Sequence, residues 1–218
     1  MSVDNATVYI VDDDPDLRES LAMMIRSLGL NVESYASAEA FLDAYQDQSD
    51  LPKCMVLDIR MPGLSGLGLQ QMLAAEGRSM PTIMISGCAD IPMAVNAMRL
   101  GAIDFLEKPV SGQILTARIR EAIDRCVRHQ REVGRKAELT RHIERLSSRQ
   151  REVLDLLVLG ERSKQIARQL GIGEKTVAKH RASVLEKMQV DNVVELVRLF
   201  TDSGGGSPHH EASLAQCN

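Results

Sequence analysis

Tryptophan is absent from this 218-residue chain, and three tyrosines and three phenylalanines hold the aromatic content to 3%. Its cores must therefore be built from Leu, Ile, Val, Met and Ala, which a 44% hydrophobic fraction supplies in quantity. No run approaches the ~18 apolar residues that a membrane span requires. The stretch 1–7 is short and acidic rather than basic and then apolar, so no secretory signal is read there. A cytoplasmic protein without a membrane partner is expected. The four cysteines, Cys54, Cys88, Cys126 and Cys217, contain no C-x-x-C pair. Their spacing suits reduced thiols and excludes a disulfide framework or a zinc site. His129, His142 and His180 are scattered and His209-His210 sit in a polar tail, so no histidine metal site is read.

What is present is uneven. The net charge of -4 divides into an acidic half and a basic half. Residues 1–110 carry 7 Lys/Arg against 16 Asp/Glu, whereas residues 111–218 carry 19 against 14. Such asymmetry suits two jobs, the second compatible with a polyanion.

The first 110 residues alternate short apolar runs with amphipathic ones. Val8 to Val11, Val32 to Tyr35, Cys54 to Leu57, Thr82 to Ile85 and Ile103 to Leu106 read as strands. Helices fill the intervals: Pro15 to Leu28, Ala38 to Tyr45, one through Leu67 to Leu73, and one through Met93, Val95 and Met98. Alternation of this kind implies βαβ units and a doubly wound parallel sheet. A fifth helix, phased on Ile114, Ile119, Ile123 and Val127, is expected to run into a charged helical linker with Gly134 as its weak point. Residues 147–200 read as four helices opened by a Ser147/Gln150 capping box. Ser203 to Pro208 begins a flexible tail. The expected division is 1–124, a helical linker 125–145, a helical domain 146–201 and the tail 202–218.

In an open parallel sheet the functional crevice lies beyond the carboxyl ends of the strands. Asp12 and Asp13 follow the first strand, Asp58 ends the third, Ser86 ends the fourth and Lys108 follows the fifth. Clustered carboxylates repel unless a cation joins them, and hard oxygen ligands favour Mg2+. An aspartate placed there can act as a nucleophile toward phosphorus, with Lys108 contacting the phosphoryl group. Asp14 and Asp16 suit helix capping instead.

In the last block, the helix from Glu174 to about Met188 separates into faces. Val177, Val184 and Met188 form a core side. Lys175, Ala178, Lys179 and Ala182 lie opposite with Ser183 nearby. A basic, narrow face after a short turn suits the DNA major groove. Lys179 would reach base edges or phosphate, with Lys175, Thr176, His180 and Arg181 on phosphates.

Residues 8–109 resemble the receiver domain of two-component response regulators. The resemblance is carried by Val11-Asp12-Asp13-Asp14, Leu57-Asp58-Ile59-Arg60-Met61-Pro62-Gly63, Ser86-Gly87 and Asp104-Phe105-Leu106-Glu107-Lys108-Pro109. It implies a flavodoxin-like sheet of order 2-1-3-4-5, Asp58 as phosphoacceptor, and Mg2+ held by Asp12, Asp13, Asp58 and the Arg60 backbone carbonyl. It further implies Ser86 as switch hydroxyl, Phe105 as switch aromatic, Lys108 as phosphate contact and a cis Lys108-Pro109 bond. Cys88-Ala89 departs from the small or polar pair usual in close relatives. Leu146 to Leu199 resembles the LuxR-type helix-turn-helix through Arg151-Glu152-Val153-Leu154, Lys164-Gln165-Ile166-Ala167, Leu170-Gly171-Ile172, Lys175-Thr176-Val177 and His180-Arg181. Together the two resemble the FixJ-like branch of the NarL/FixJ subfamily. That resemblance implies a regulator rather than an enzyme, with a sensor histidine kinase, promoter DNA, RNA polymerase and a second copy of the chain as partners. Two other readings compete with this one. A phosphatase or flavin enzyme on the same fold would need a Gly/Ser-rich phosphate loop that is not found here, and it leaves the basic helix unexplained. The sequence disfavours a phosphate-buffering or protein-docking receiver whose second domain no longer binds DNA.

Overall fold

The computed structural model describes residues 5–46, 51–87 and 91–202. The chain divides into two compact units, Met1–Gln130 and Arg131–Asn218. In the first, strands and helices alternate as β1 (Thr7–Val11), α1 (Pro15–Arg26), β2 (Asn31–Tyr35), α2 (Ala38–Ala44), β3 (Lys53–Asp58), α3 (Gly66–Ala75), β4 (Thr82–Ser86), α4 (Ile91–Arg99) and β5 (Asp104–Glu107), followed by α5 (Gly112–Glu144). The sheet has the expected order β2-β1-β3-β4-β5, with every pair parallel.

Inner strands covered on both faces should be apolar nearly throughout, and they are. Val8 to Val11, Cys54 to Asp58 and all five residues of β4 are buried, whereas β2, at the edge, buries none completely. The two-residue period of a strand sends alternate side chains to opposite cores. Val8, Ile10, Val56, Ile83 and Ile85 meet Leu21 and Ile25 of α1 and Leu115, Ile119 and Ile123 of α5. Val11, Met55, Leu57 and Met84 face the other way, onto Phe41 of α2 and Leu69 and Leu73 of α3. Tyr9 joins that second core in a cluster of edge-on and stacked rings with Tyr35, Phe41 and Tyr45, centroids 4.8 to 5.6 Å apart.

Several expectations shift. β3 starts at Lys53 and includes Asp58, and β5 sits one residue later than expected. Ile114 is 51% exposed, and Leu115 takes the core position in its place. The buried stripe of α5 runs 115, 119, 122, 123, 126, and residue 114 lies about 100° away from it. In α4 the small Ala97 is buried while Val95 and Met98 point outward. Cys54 and Cys126 are free and buried, and burial pushes the Cys54 thiol far up. Cys88-Ala89, Cys217 and the tail from Ser203 lie outside the described residues.

The second unit contains α6 (Ser148–Val158), α7 (Ser163–Leu170), α8 (Glu174–Lys187) and α9 (Val193–Asp202). Its core gathers Val153, Leu154 and Leu157 of α6, Ile166 of α7, Val177 and Val184 of α8, and Leu196 and Phe200 of α9, joined by Leu139 from the last turns of α5. The capping box forms: Ser147 Oγ accepts the Gln150 N–H and Gln150 Oε1 accepts the Ser147 N–H. Gly134 does not interrupt α5, which is helical on both sides of it. Asn192 lies outside α9 and caps it, its Oδ1 accepting the Glu195 N–H at 3.0 Å. Among the described residues no helix is long and apolar enough to cross a membrane.

Candidate functional site

Register along the parallel sheet decides which side chains meet. β1 and β3 pair Val11 with Leu57, so the residues that follow, Asp12 and Asp58, emerge side by side. β4 pairs Ser86 with Glu107, and the Lys108 N–H donates to the Ser86 carbonyl at 2.8 Å. Lys108 thereby leaves β5 level with the same edge. Its ammonium donates to Asp12 Oδ2 and Asp58 Oδ2, each at 2.7 Å. Carboxylate oxygens of Asp12, Asp13 and Asp58 all lie within 4.8 Å of one another. Asp12, Asp58 and Ser86 are buried, Asp13 is exposed and Phe105 is half-buried against the Met84 side of the sheet. The Lys108-Pro109 bond is cis.

The electrostatics follow from this crowding. Burial raises the Asp12 carboxyl, even though Lys108 and the Asp14 N–H act to lower it. Burial acts to lower Lys108, but the hydrogen bonds and charges of Asp12 and Asp58 outweigh it and leave the ammonium more firmly protonated. One cation thus stands against three carboxylates. The donor set is wholly hard oxygen, which fits a dication such as Mg2+.

The loop after β3 is held tightly. Arg60 N–H donates to Asp58 Oδ1 at 3.2 Å, and Gly66 N–H donates to the Ile59 carbonyl at 3.1 Å. Gly66 has no substitute here, because a Cβ would collide with the Asp58 carbonyl oxygen. Two participants went unnoticed in the sequence. Arg18 of α1 donates to the Asp12 carbonyl at 2.7 Å. Glu39 of α2 accepts the Leu64 N–H at 2.7 Å, and that bond holds its carboxyl below the usual range. Asp14 caps α1 as expected, accepting from the Asp16 and Leu17 N–H groups.

In the second unit α8 exposes Lys175, Thr176, Ala178, Lys179 and Ala182, while His180 and Arg181 are half-buried on the flanks of the Val177/Val184 stripe. Ser183 does not share the open face. It accepts a hydrogen bond from Gln150 Nε2 at 2.8 Å, because Gln150 reaches across from α6. Gln150 Oε1 also accepts from Lys187 Nζ at 2.8 Å, so one glutamine fastens α8 at two points. Gly173 occupies the α8 N-cap without a side-chain bond. Arg162, Lys164, Gln165 and Arg168, on α7 and at its N-cap, line a shallow depression and add cations not assigned to DNA from the sequence alone. In α9 Val193 packs into the core and Val194 is 65% exposed.

Residues 8–120 match the response regulator receiver domain, and residues 144–200 match the bacterial regulatory proteins of the luxR family. The chain belongs to the NarL/FixJ subfamily of two-component response regulators. It is similar to the transcriptional regulatory protein FixJ of Azorhizobium caulinodans, 43% identical over 200 residues that span 90% of this chain and 92% of the relative. The response regulator protein TmoT of Ectopseudomonas mendocina is 42% identical, covering 91% and 90% respectively. Among solved structures, the response regulator StyR superposes with a TM-score of 0.80 at 38% identity, over 90% of this chain and 98% of that one. As a NarL/FixJ response regulator, the chain is a DNA-binding transcription regulator of a two-component system.

Proposed function

We propose that this response regulator accepts a phosphoryl group on Asp58 from a sensor histidine kinase, and that phosphorylation switches dimerisation and promoter binding. The observation that supports this best is the Lys108 ammonium bridging Asp12 and Asp58 at 2.7 Å, with Asp13 in the same cluster. The Asp58 oxygen forms the new O–P bond as the P–N bond to the kinase phosphohistidine breaks, and the departing imidazole takes up a proton. Mg2+, held by Asp12, Asp13, Asp58 and the Arg60 carbonyl, would offset charge on the phosphoryl oxygens. Lys108 exchanges one carboxylate partner for a phosphoryl oxygen. Ser86 then donates to the added oxygens, and Phe105 moves into the space this opens. The outward Ile91, Val95 and Met98 of α4 form an apolar surface suited to a homodimer.

Promoter DNA is read by α8. Lys179 reaches base edges or phosphate beside the small Ala178 and Ala182, while Lys175, Thr176, His180 and Arg181 hold the phosphate backbone. The exposed cations of α7 and its N-cap extend that phosphate footprint. The working division is a receiver 1–124, a linker 125–145, a DNA-binding domain 146–201 and a tail 202–218, acting in the cytoplasm with RNA polymerase. Incubation with acetyl phosphate and Mg2+, read by intact mass, should label the natural chain and leave Asp58→Asn unlabelled. Equal labelling of both would remove Asp58 from the role.

A further inference from the structure

The β3–α3 loop carries Arg60, and its far end is tied to a side chain from another helix, α2. Glu39 Oε1 accepts the Leu64 N–H at 2.7 Å across 25 residues of sequence. One residue earlier, Gly63 has φ +78, and a Cβ there would lie 2.5 Å from the same Glu39 oxygen. The carboxylate therefore occupies the space that any other residue at 63 would need. At the other end of the loop Asp58 Oδ1 accepts the Arg60 N–H, and a separate backbone bond joins the Gly66 N–H to the Ile59 carbonyl. The stretch 60–64 is thus tied at both of its ends.

We propose that Glu39 is a positioning residue for phosphoryl acceptance, holding the loop that carries the Arg60 carbonyl, the group proposed above to join Asp12, Asp13 and Asp58 around Mg2+. The inference rests on the phosphoacceptor reading above. Glu39 touches none of the reacting atoms and acts only through the loop. A plainer role exists for it, since a carboxylate in the first turn of α2 favours the helix dipole. The two roles separate on one substitution. Glu39→Gln loses the charge that the dipole favours but keeps a carbonyl oxygen for the Leu64 N–H. Glu39→Ala loses both.

The test uses the full chain, with three readouts: hydrogen exchange at the Leu64 amide without metal, Mg2+ binding by calorimetry, and the Mg2+ dependence of labelling by acetyl phosphate. In Glu39→Ala, Leu64 should exchange faster and the Mg2+ concentration for half-maximal labelling should rise on the order of 10-fold. The maximal labelling rate should change much less. Glu39→Gln should match the natural chain in all three. If Glu39→Ala frees the Leu64 amide but binds Mg2+ and labels as the natural chain does, Glu39 has no positioning role. If Glu39→Gln fails as Glu39→Ala does, the helix-dipole role suffices and the proposal falls. A natural chain that takes up no label at all would instead overturn the phosphoacceptor reading, and this inference with it.

Discussion

Asp12, Asp58 and Lys108 could be found at the scale of single residues because strand ends announce themselves: an apolar β-branched run stops at a charged residue. Glu39 could not. Its partner is a backbone N–H, and a backbone group leaves no residue-type signal at position 64. Arg18 was hidden for the same reason, since it binds the Asp12 carbonyl rather than its carboxylate. Ser183 misled in the opposite direction: a small polar residue beside a basic face reads as exposed until Gln150 is seen to hold it. The Glu39 bond also has a pH signature. Its carboxyl is held low in the folded chain, because ionisation strengthens the bond from Leu64. The anchor is therefore strongest above the ordinary glutamate range and weakens, while a carbonyl oxygen remains to accept, as pH falls through the lowered value. The Leu64 amide resonance should shift with a midpoint below about 4.3, the value of an unperturbed glutamate; a midpoint at or above it would mean that the bond does not favour the ionised form.

At the scale of elements, periodicity located every strand and helix of the sheet unit, and its misses were misses of phase. Ile114 and Leu115 are neighbours of equal hydrophobicity, so residue type alone cannot choose between them. The choice is made by Ile119, Ala122 and Ile123 once the sheet is there to cover. In α4, traced in the sequence through Met93, Val95 and Met98, Ala97 is the residue buried completely, and Val95 and Met98 stay outside. Gly134 illustrates the reverse case, a local weakness tolerated by an element long enough to absorb it. It is exposed in the middle of α5, with open space where a Cβ would go. Gly134→Ala should therefore stabilise the helix by ~1 kcal/mol, seen as a higher denaturant midpoint with an unchanged slope. A lower midpoint would show that the glycine is needed for a bend or a close contact.

For the whole molecule, charge asymmetry was the broadest signal in the sequence and anticipated a division of labour between an acidic sheet unit and a basic helical one. The fold class followed from element order, whereas the exact limits of the units did not, because α5 runs through the region where one gives way to the other. Binding to promoter DNA should weaken linearly in log affinity against log salt, as the cations of α7 and α8 exchange with counterions. Lys179→Ala should reduce specific affinity by roughly 1–3 kcal/mol if it reads a base. It should instead lower the salt slope by about one contact if it holds a phosphate. An unchanged affinity together with an unchanged slope would take Lys179 out of the interface.

The clustering of rings in the sheet unit makes the two halves optically distinguishable. Tyr9, Tyr35 and Tyr45 all belong to it, no tryptophan exists to mask them, and Phe200 is the sole aromatic residue after position 130. Tyrosine emission and the tyrosine bands of the near-ultraviolet dichroism therefore report on the receiver alone, while far-ultraviolet ellipticity averages over every helix in the chain. Comparing the two signals through a thermal melt tells, without labels or truncation, whether the DNA-binding half unfolds with its neighbour or on its own.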